Sequence, residues 1–178
     1  MQYKLQKCCS GTSLQIFGVC IQSSNKKAYK SQSVSFGPYH HGEAHLAPME
    51  EHKLHALLHI LKRSQKPLAS YIDSLAEVAQ SLKNSYESLD SVWKRDTDQF
   101  LHLMILDSCF MIEVMRTSIG TLNDYARNDP IFNDHGKFHI VPYIKRGMLM
   151  LENQLPMLLL TTLLLPMLLP LILLVFYR

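Results

Sequence analysis

The strongest constraint on this chain is an uncharged segment from Leu155 to Tyr177, which reads LPMLLLTTLLLPMLLPLILLVFY. As a helix it would be roughly 34 Å long, and the hydrocarbon core of a bilayer is about 30 Å thick. Eleven leucines lie between residues 157 and 176, and with one Ile, one Val and one Phe they would gain roughly 4–8 kcal/mol on transfer into lipid. We therefore predict a transmembrane helix over residues 155–177, with the lipid bilayer as a partner.

Two prolines inside this segment favour a membrane over an aqueous environment. Pro166 and Pro170 would break a helix in water, but neighbouring groups satisfy the freed backbone in a membrane helix. A helix buried in a larger soluble core is the alternative, and the lack of a polar stripe disfavours it. Lys137, Lys145 and Arg146 precede the segment and only Arg178 follows it, so the positive-inside rule predicts a cytoplasmic body.

The composition narrows the possible function classes. The formal net charge is only +3 and forms no basic stripe, so we expect no nucleic-acid partner. The four cysteines, Cys8, Cys9, Cys20 and Cys109, form no C-x-x-C pair, which gives no support to a zinc knuckle or a redox motif. Phosphate-loop, dinucleotide-binding and nucleophile-elbow motifs are absent. We predict no enzyme activity and no cofactor.

Most of the remaining chain carries helical patterns. Pro48 with Glu50 and Glu51 predicts a helix start, and an apolar face of Leu54, Leu57, Leu58 and Leu61 predicts a helix that ends near Ser64. A second helix is expected over residues 68–89 and a third after Asp96 or Thr97. A last amphipathic stretch covers residues 141–155.

These patterns predict a mainly α fold, with a helical body of three to four amphipathic helices plus one C-terminal transmembrane helix. Residues 1–26 are expected to be weakly structured or to form a short strand, because their apolar piece is short and contains Gly18. Residues 27–154 then form the helical body, and residues 155–177 form the membrane segment.

The histidines raise the question of a metal site. His52, His55 and His59 share one face of the first predicted helix, and imidazoles so placed could bind zinc or copper. That face points roughly 140° from the leucine face on a helix with 100° per residue. We therefore predict a solvated polar face there, with metal binding as the alternative. His40 and His41 match no metal motif and are expected in a turn packed by Tyr39.

Asp107 lies in the otherwise apolar stretch MILDSCFMIEV. A buried carboxylate must be paired or hydrogen-bonded, so Asp107 is predicted to accept hydrogen bonds from a neighbouring segment. Glu113 is six residues away and faces another direction on the same helix, which argues against a pair of catalytic carboxylates.

Four blocks of sequence, in order and in spacing, resemble a plant family known as domain of unknown function 247. The blocks are SFGPYHHG followed by MEEHK, then LDSCFMIE, NDPIF and LENQLP, and the resemblance covers residues 27–156. The residues that carry the family signature are Gly37, Pro38, Tyr39, His40, His41, Gly42, Glu50, Glu51, Asp107, Asp129, Pro130, Glu152, Asn153 and Gln154.

The resemblance implies a plant protein without an established enzyme activity, anchored by a C-terminal span. It favours the plasma membrane, with the endoplasmic reticulum as the other location, and a role in recognising an unknown protein partner. Family chains usually continue as a long helical region after the position of Pro156, whereas here the apolar segment follows at once. Two alternatives remain: a metal-dependent enzyme that uses the His40–His59 region, and a nonfunctional truncated paralogue.

Overall fold

The computed structural model describes residues 31–119 and 124–163, and within them it is mainly helical without a β-strand, as predicted. The predicted N-terminal segment, residues 1–26, lies outside the described residues. Residues 157–163 are also helical. The helices, in chain order, are α1 (Pro48–Ser64), α2 (Leu68–Ala76), α3 (Ala79–Asn84), α4 (Ser91–Arg95), α5 (Thr97–Ser118), α6 (Asp134–His139) and α7 (Val141–Met148).

Helix α5 forms the centre of the body. The Asp96 carboxylate caps it by accepting a hydrogen bond of 2.9 Å from the Gln99 backbone N–H, as expected for an aspartate N-cap. Phe100, Met104 and Phe110 are fully buried, and α1, α2 and α4 all pack against α5. The predicted start of this helix is confirmed.

Helix α1 begins and ends where the sequence predicted, but it buries a different face. Its buried residues are Lys53, Ala56, Leu57 and Ile60. Leu54 and Leu58, which were predicted to face the core, are 51% and 54% exposed. The reason is that Lys53 pairs with a buried acid on α5, and this turns the helix away from its leucine face.

The predicted second helix is broken into α2 and α3. The break lies at Glu77 and Val78, where the Val78 N–H bonds to the Leu75 carbonyl at 3.1 Å. Helix α4, which was not predicted, is capped by Asp90 through a 3.1 Å bond from the Val92 N–H.

The start of the apolar tail packs into the body. Leu155, Leu159 and Leu163 are 7%, 0% and 1% exposed, whereas Met157 is 68% exposed. Within the described residues, no helix is both long and apolar enough to cross a bilayer. Residues 164–178, which include most of the predicted span, lie outside the described residues.

Candidate functional site

A buried lysine joins its own helix, α1, to α5 and to the segment around Ser35. The Lys53 Nζ lies 2.6 Å from Asp107 Oδ1 and 2.7 Å from Glu50 Oε1, and it donates a 3.1 Å hydrogen bond to Ser35 Oγ. Lys53 and Asp107 are both fully buried. We call Ser35, Gly37, Glu50, Lys53 and Asp107 the lysine junction.

Gly37 completes the junction through its backbone. Its N–H donates a 2.7 Å hydrogen bond to Asp107 Oδ2, which confirms that Asp107 accepts from a neighbouring segment. Gly37 has φ +74°, and a Cβ there would lie 2.9 Å from the Tyr86 hydroxyl oxygen, so a glycine is required. Burial raises the pKa of Asp107, and the Lys53 charge and the Gly37 N–H only partly oppose that rise.

Asn153 ties the same segment to the end of α7. Its Oδ1 accepts a 2.7 Å hydrogen bond from the Phe36 N–H. Its Nδ2 donates to the Val34 carbonyl at 3.0 Å and to the Gly147 carbonyl at 3.1 Å. Asn153 is fully buried, so these bonds replace contacts that water would otherwise make.

The two adjacent histidines have distinct partners. His40 lies between two carboxylates, with Nδ1 2.9 Å from Glu43 Oε1 and Nε2 3.6 Å from Glu152 Oε2. His41 stacks edge-on against Trp93, with ring centroids 5.5 Å apart. Sequence reasoning placed both in a turn but did not identify these partners. Glu43 is three residues from His40, whereas Glu152 and Trp93 come from distant parts of the chain.

A second ionic cluster surrounds Glu113 at the other end of α5. The fully buried Glu113 carboxylate accepts hydrogen bonds from Arg63, from Arg116 at 2.8 Å and from the Tyr125 hydroxyl at 2.9 Å. Arg116 also binds Asp124 at 2.5 Å. Burial acts to raise the pKa of Asp124, but the guanidinium groups outweigh it and the pKa is lowered.

The histidines considered for a metal site pack against the loop after α5. His59 stacks on Tyr125 with ring centroids 4.0 Å apart, and His55 Nδ1 lies 3.4 Å from Asp129 Oδ2. Among the described residues, His52 has no ring contact and no ion pair. Within residues 31–119 and 124–163, no three histidine, cysteine or acidic side chains are placed to hold a metal ion.

The remaining signature residues shape the turns around the two clusters. Asp129 Oδ1 accepts bonds from the backbone N–H groups of Ile131 and Phe132 at 2.9 and 2.7 Å. The Gln154 carbonyl accepts from the Tyr86 hydroxyl at 3.3 Å, and Tyr39 donates to the Glu87 carbonyl at 2.6 Å.

Other signature positions make no side-chain contribution of this kind. Gly42 adopts φ +84°, Pro38 is buried, and Glu51 is exposed on α1. The signature residues therefore act mainly by closing backbone turns onto a helical core.

Comparison with known proteins assigns this helical body, with its two buried ionic clusters, to a family. The family described as "Plant protein of unknown function", domain of unknown function 247, matches residues 16–170. The chain belongs to this plant family, as its four sequence blocks indicated.

One relative in Arabidopsis thaliana extends the comparison. The chain is similar to the UPF0481 protein At3g47200, with 31% identity over 146 residues, which is 78% of this chain and 28% of the relative. The chain thus spans less than a third of the length of the curated relative that it matches. No solved structure matches the chain.

Proposed function

We propose that this protein is a membrane-attached binding protein, anchored by its apolar tail with the helical body in the cytoplasm. The observation that carries the proposal is the absence of any charge between residues 153 and 177. Transfer of such a segment into lipid is favourable by several kcal/mol, of the order of 4–8. The family resemblance favours the plasma membrane.

The packing of the tail sets a condition on this anchor. If Leu155, Leu159 and Leu163 stay buried in the body, residues 164–177 alone remain for the membrane. As a helix they would be roughly 21 Å long, shorter than the hydrocarbon core of about 30 Å. A complete span therefore requires the helical segment 157–163 to leave the body.

Basic residues near the tail support the proposed orientation. Lys145 and Arg146 are exposed on α7, and no carboxylate of the described residues lies within ion-pair distance of either. Asn153 donates a hydrogen bond to the Gly147 carbonyl. The helical part of the tail begins at residue 157, four residues after Asn153. Two free cations beside the membrane entry fit the anionic cytoplasmic leaflet.

We assign the body a binding role because of its surface and its buried charges. Leu54 and Leu58 are exposed one turn apart on α1, which suits contact with an apolar surface of a protein partner. The buried carboxylates of Asp107 and Glu113 are paired with the side chains of Lys53 and Arg116. We therefore assign these acids a structural role.

Carbonate extraction of the tagged full chain from plant membranes tests the anchor. We expect the wild type in the membrane pellet and the M167R/L168R variant in the supernatant, because each central arginine costs about 2.5–3.5 kcal/mol. The M167L/L168M variant is the matched control and should stay in the pellet. Extraction of the wild type by carbonate would overturn the anchor.

Protease protection then tests the span and its orientation. In sealed vesicles with the cytoplasmic face outward, an N-terminal tag should be digested and a C-terminal tag protected. Digestion of both tags on a carbonate-resistant protein would show insertion without crossing, as expected if Leu159 and Leu163 remain in the body.

The binding role is tested with the L54D/L58D variant. Quantitative purification from plant membranes should lose a specific protein relative to wild type, and the purified protein should bind the wild type directly. A V92D variant is the control, because Val92 is similarly exposed, at 46%, on a different helix. Equal recovery of every partner by L54D/L58D would exclude this face.

A further inference from the structure

We infer that the cleft beside Lys83, between α3 and α4, binds a phosphate monoester. Lys83 is only 7% exposed. Its ammonium group donates hydrogen bonds to the Lys94 carbonyl at 3.0 Å and to Thr97 Oγ1 at 2.8 Å. It lies 5.7 Å from the ring centroid of Phe100.

This buried cation has no anionic partner among residues 31–119 and 124–163. No carboxylate there lies within 4.0 Å of the Lys83 Nζ, whereas the fully buried Lys53 contacts both Asp107 and Glu50. An ammonium group carries three N–H donors, and the bonds to Lys94 and Thr97 use two of them, with the Phe100 ring as the only other contact recorded for the group among the described residues. A buried charge without a partner of opposite sign destabilises the folded state. An external anion bound beside Lys83 would offset that destabilisation.

The cleft next to Lys83 has the size and lining for such a ligand. Its volume is about 750 Å³, within the range of pockets that hold small organic molecules. Its lining contains two lysines and no acidic residue. The lining residues are Gln80, Lys83, Asn84, Tyr86, Ser88, Leu89 and Lys94.

The two acids that flank Ser88 and Leu89 in the sequence do not line the cleft. The Asp90 carboxylate accepts hydrogen bonds from the Val92 N–H at 3.1 Å and the Ser91 hydroxyl at 3.2 Å. Glu87 is exposed and does not line the cleft. The local charge of the cleft is therefore positive.

The donors suit a phosphate group, because lysine ammonium groups bind phosphate as point charges. Asn84 Oδ1 already accepts from Gln80 Nε2 at 2.9 Å, which leaves the Asn84 amide donors for a ligand. The Ser88 hydroxyl adds another donor, and Leu89 and Tyr86 supply apolar surface for an organic group.

Thermal unfolding of the full chain in detergent, with increasing inorganic phosphate, tests the site. A ligand that binds only the folded state raises the melting temperature in a saturable way. We expect this rise for the wild type and none with sodium chloride at equal ionic strength. An equal rise with both salts would show an adventitious ion only and would overturn the proposal.

Two matched lysine variants locate the effect. K83M should weaken the apparent affinity for phosphate by about tenfold or more, because a charged hydrogen-bond partner is lost. K66M removes one charge from an exposed position on the same body and should leave the response unchanged. Without phosphate, K83M should unfold at or above the wild-type temperature, because a buried unpaired charge has been removed. A K83M protein that is less stable yet keeps the phosphate response would assign Lys83 a purely structural role.

The same assay separates two sources of the phosphate group. Soluble glycerol 3-phosphate and vesicles of phosphatidylcholine with phosphatidic acid present the same monoester. Stabilisation by the soluble compound without Lys83-dependent vesicle binding would indicate a soluble ligand, and Lys83-dependent binding to the acidic vesicles would indicate a lipid headgroup. Failure of both would overturn the site without affecting the membrane anchor.

Discussion

Lys53 and Asp107 form a fully buried ion pair, with 2.6 Å between Nζ and Oδ1, that links α1 to the central helix α5. The same carboxylate accepts the Gly37 N–H. One pair thus holds together the GPYHHG turn, the first helix and the core. Two of the four blocks that mark the family, SFGPYHHG with MEEHK and LDSCFMIE, meet at this point.

Removing one member of this pair should strongly destabilise the body. K53M leaves the Asp107 carboxylate buried without its cation, and the loss should be about 3–5 kcal/mol in the free energy of unfolding. Chemical denaturation of the full chain in detergent measures it.

The double variant K53M/D107N is the informative control for this prediction. It removes both charges and keeps a carbonyl oxygen to accept the Gly37 N–H. Its free energy of unfolding should lie closer to wild type than that of K53M. If the double variant were as unstable as the sum of both single variants, charge compensation would not explain the role of the pair.

Asn153 should contribute as much as a buried ion pair although it carries no charge. N153A leaves the Phe36 N–H and the Val34 and Gly147 carbonyls without their partner. At about 1–3 kcal/mol for each buried polar group left unsatisfied, the expected loss is several kcal/mol. N153D keeps the acceptor but places a buried negative charge against the Val34 and Gly147 carbonyl oxygens, so it should be at least as unstable as N153A. Equal stability of all three proteins would contradict the prediction.

Local signals in the sequence predicted those features that depend on neighbouring residues. Pro48 and the following acids located the start of α1, and Asp96 located the cap of α5. The acceptor role of Asp107 followed from its apolar surroundings. The exposed positions of Leu54 and Leu58 did not follow, because the rotation of α1 depends on a partner of Lys53 that lies on another helix.

The partners in the two ionic clusters could not be predicted from neighbouring residues in the sequence. Glu113 binds Arg63 from α1 and Tyr125 from the loop, and no spacing along the chain connects these residues. The block LENQLP marked Asn153, but only the folded chain shows that it binds Phe36. The break between α2 and α3 also lacks a proline or glycine that could have signalled it.

Because of Asp124, the free energy of unfolding should fall as the pH is lowered through the acidic range. Its pKa is lowered in the folded protein because Arg116 and Arg63 outweigh the opposing effect of burial. A lowered pKa contributes stability that is present above the unfolded value, about 3.9, and is lost as the pH falls through the folded value. D124N should therefore be less stable than wild type at pH 7, by at most about 1 kcal/mol because the side chain is partly exposed.

The difference between D124N and wild type should vanish below the folded pKa of Asp124. Unfolding free energies measured for both proteins across the acidic range check this. A difference that persisted unchanged into strong acid would show that Asp124 acts through packing and not through its charge.

Cys109 should be chemically silent in the folded protein. It is fully buried, and burial raises the pKa of its thiol to about 12, so almost no thiolate forms at neutral pH. Iodoacetamide labelling followed by peptide mapping should show modification of Cys109 only after denaturation. Rapid labelling under native conditions would indicate that α5 opens locally.

The tail offers the sharpest prediction, because Leu159 and Leu163 have two competing environments. Packed in the body they are 0% and 1% exposed, and L159A/L163A should then cost about 2–5 kcal/mol per site. If the helix instead leaves the body to complete a membrane span, the same leucines contribute little to the stability of the body. Unfolding of the body, followed by Trp93 fluorescence, should show a large loss for this variant in mild detergent and a much smaller loss in proteoliposomes. An equal loss in both would mean that the segment stays in the body, and the anchor would then be limited to the residues that follow it.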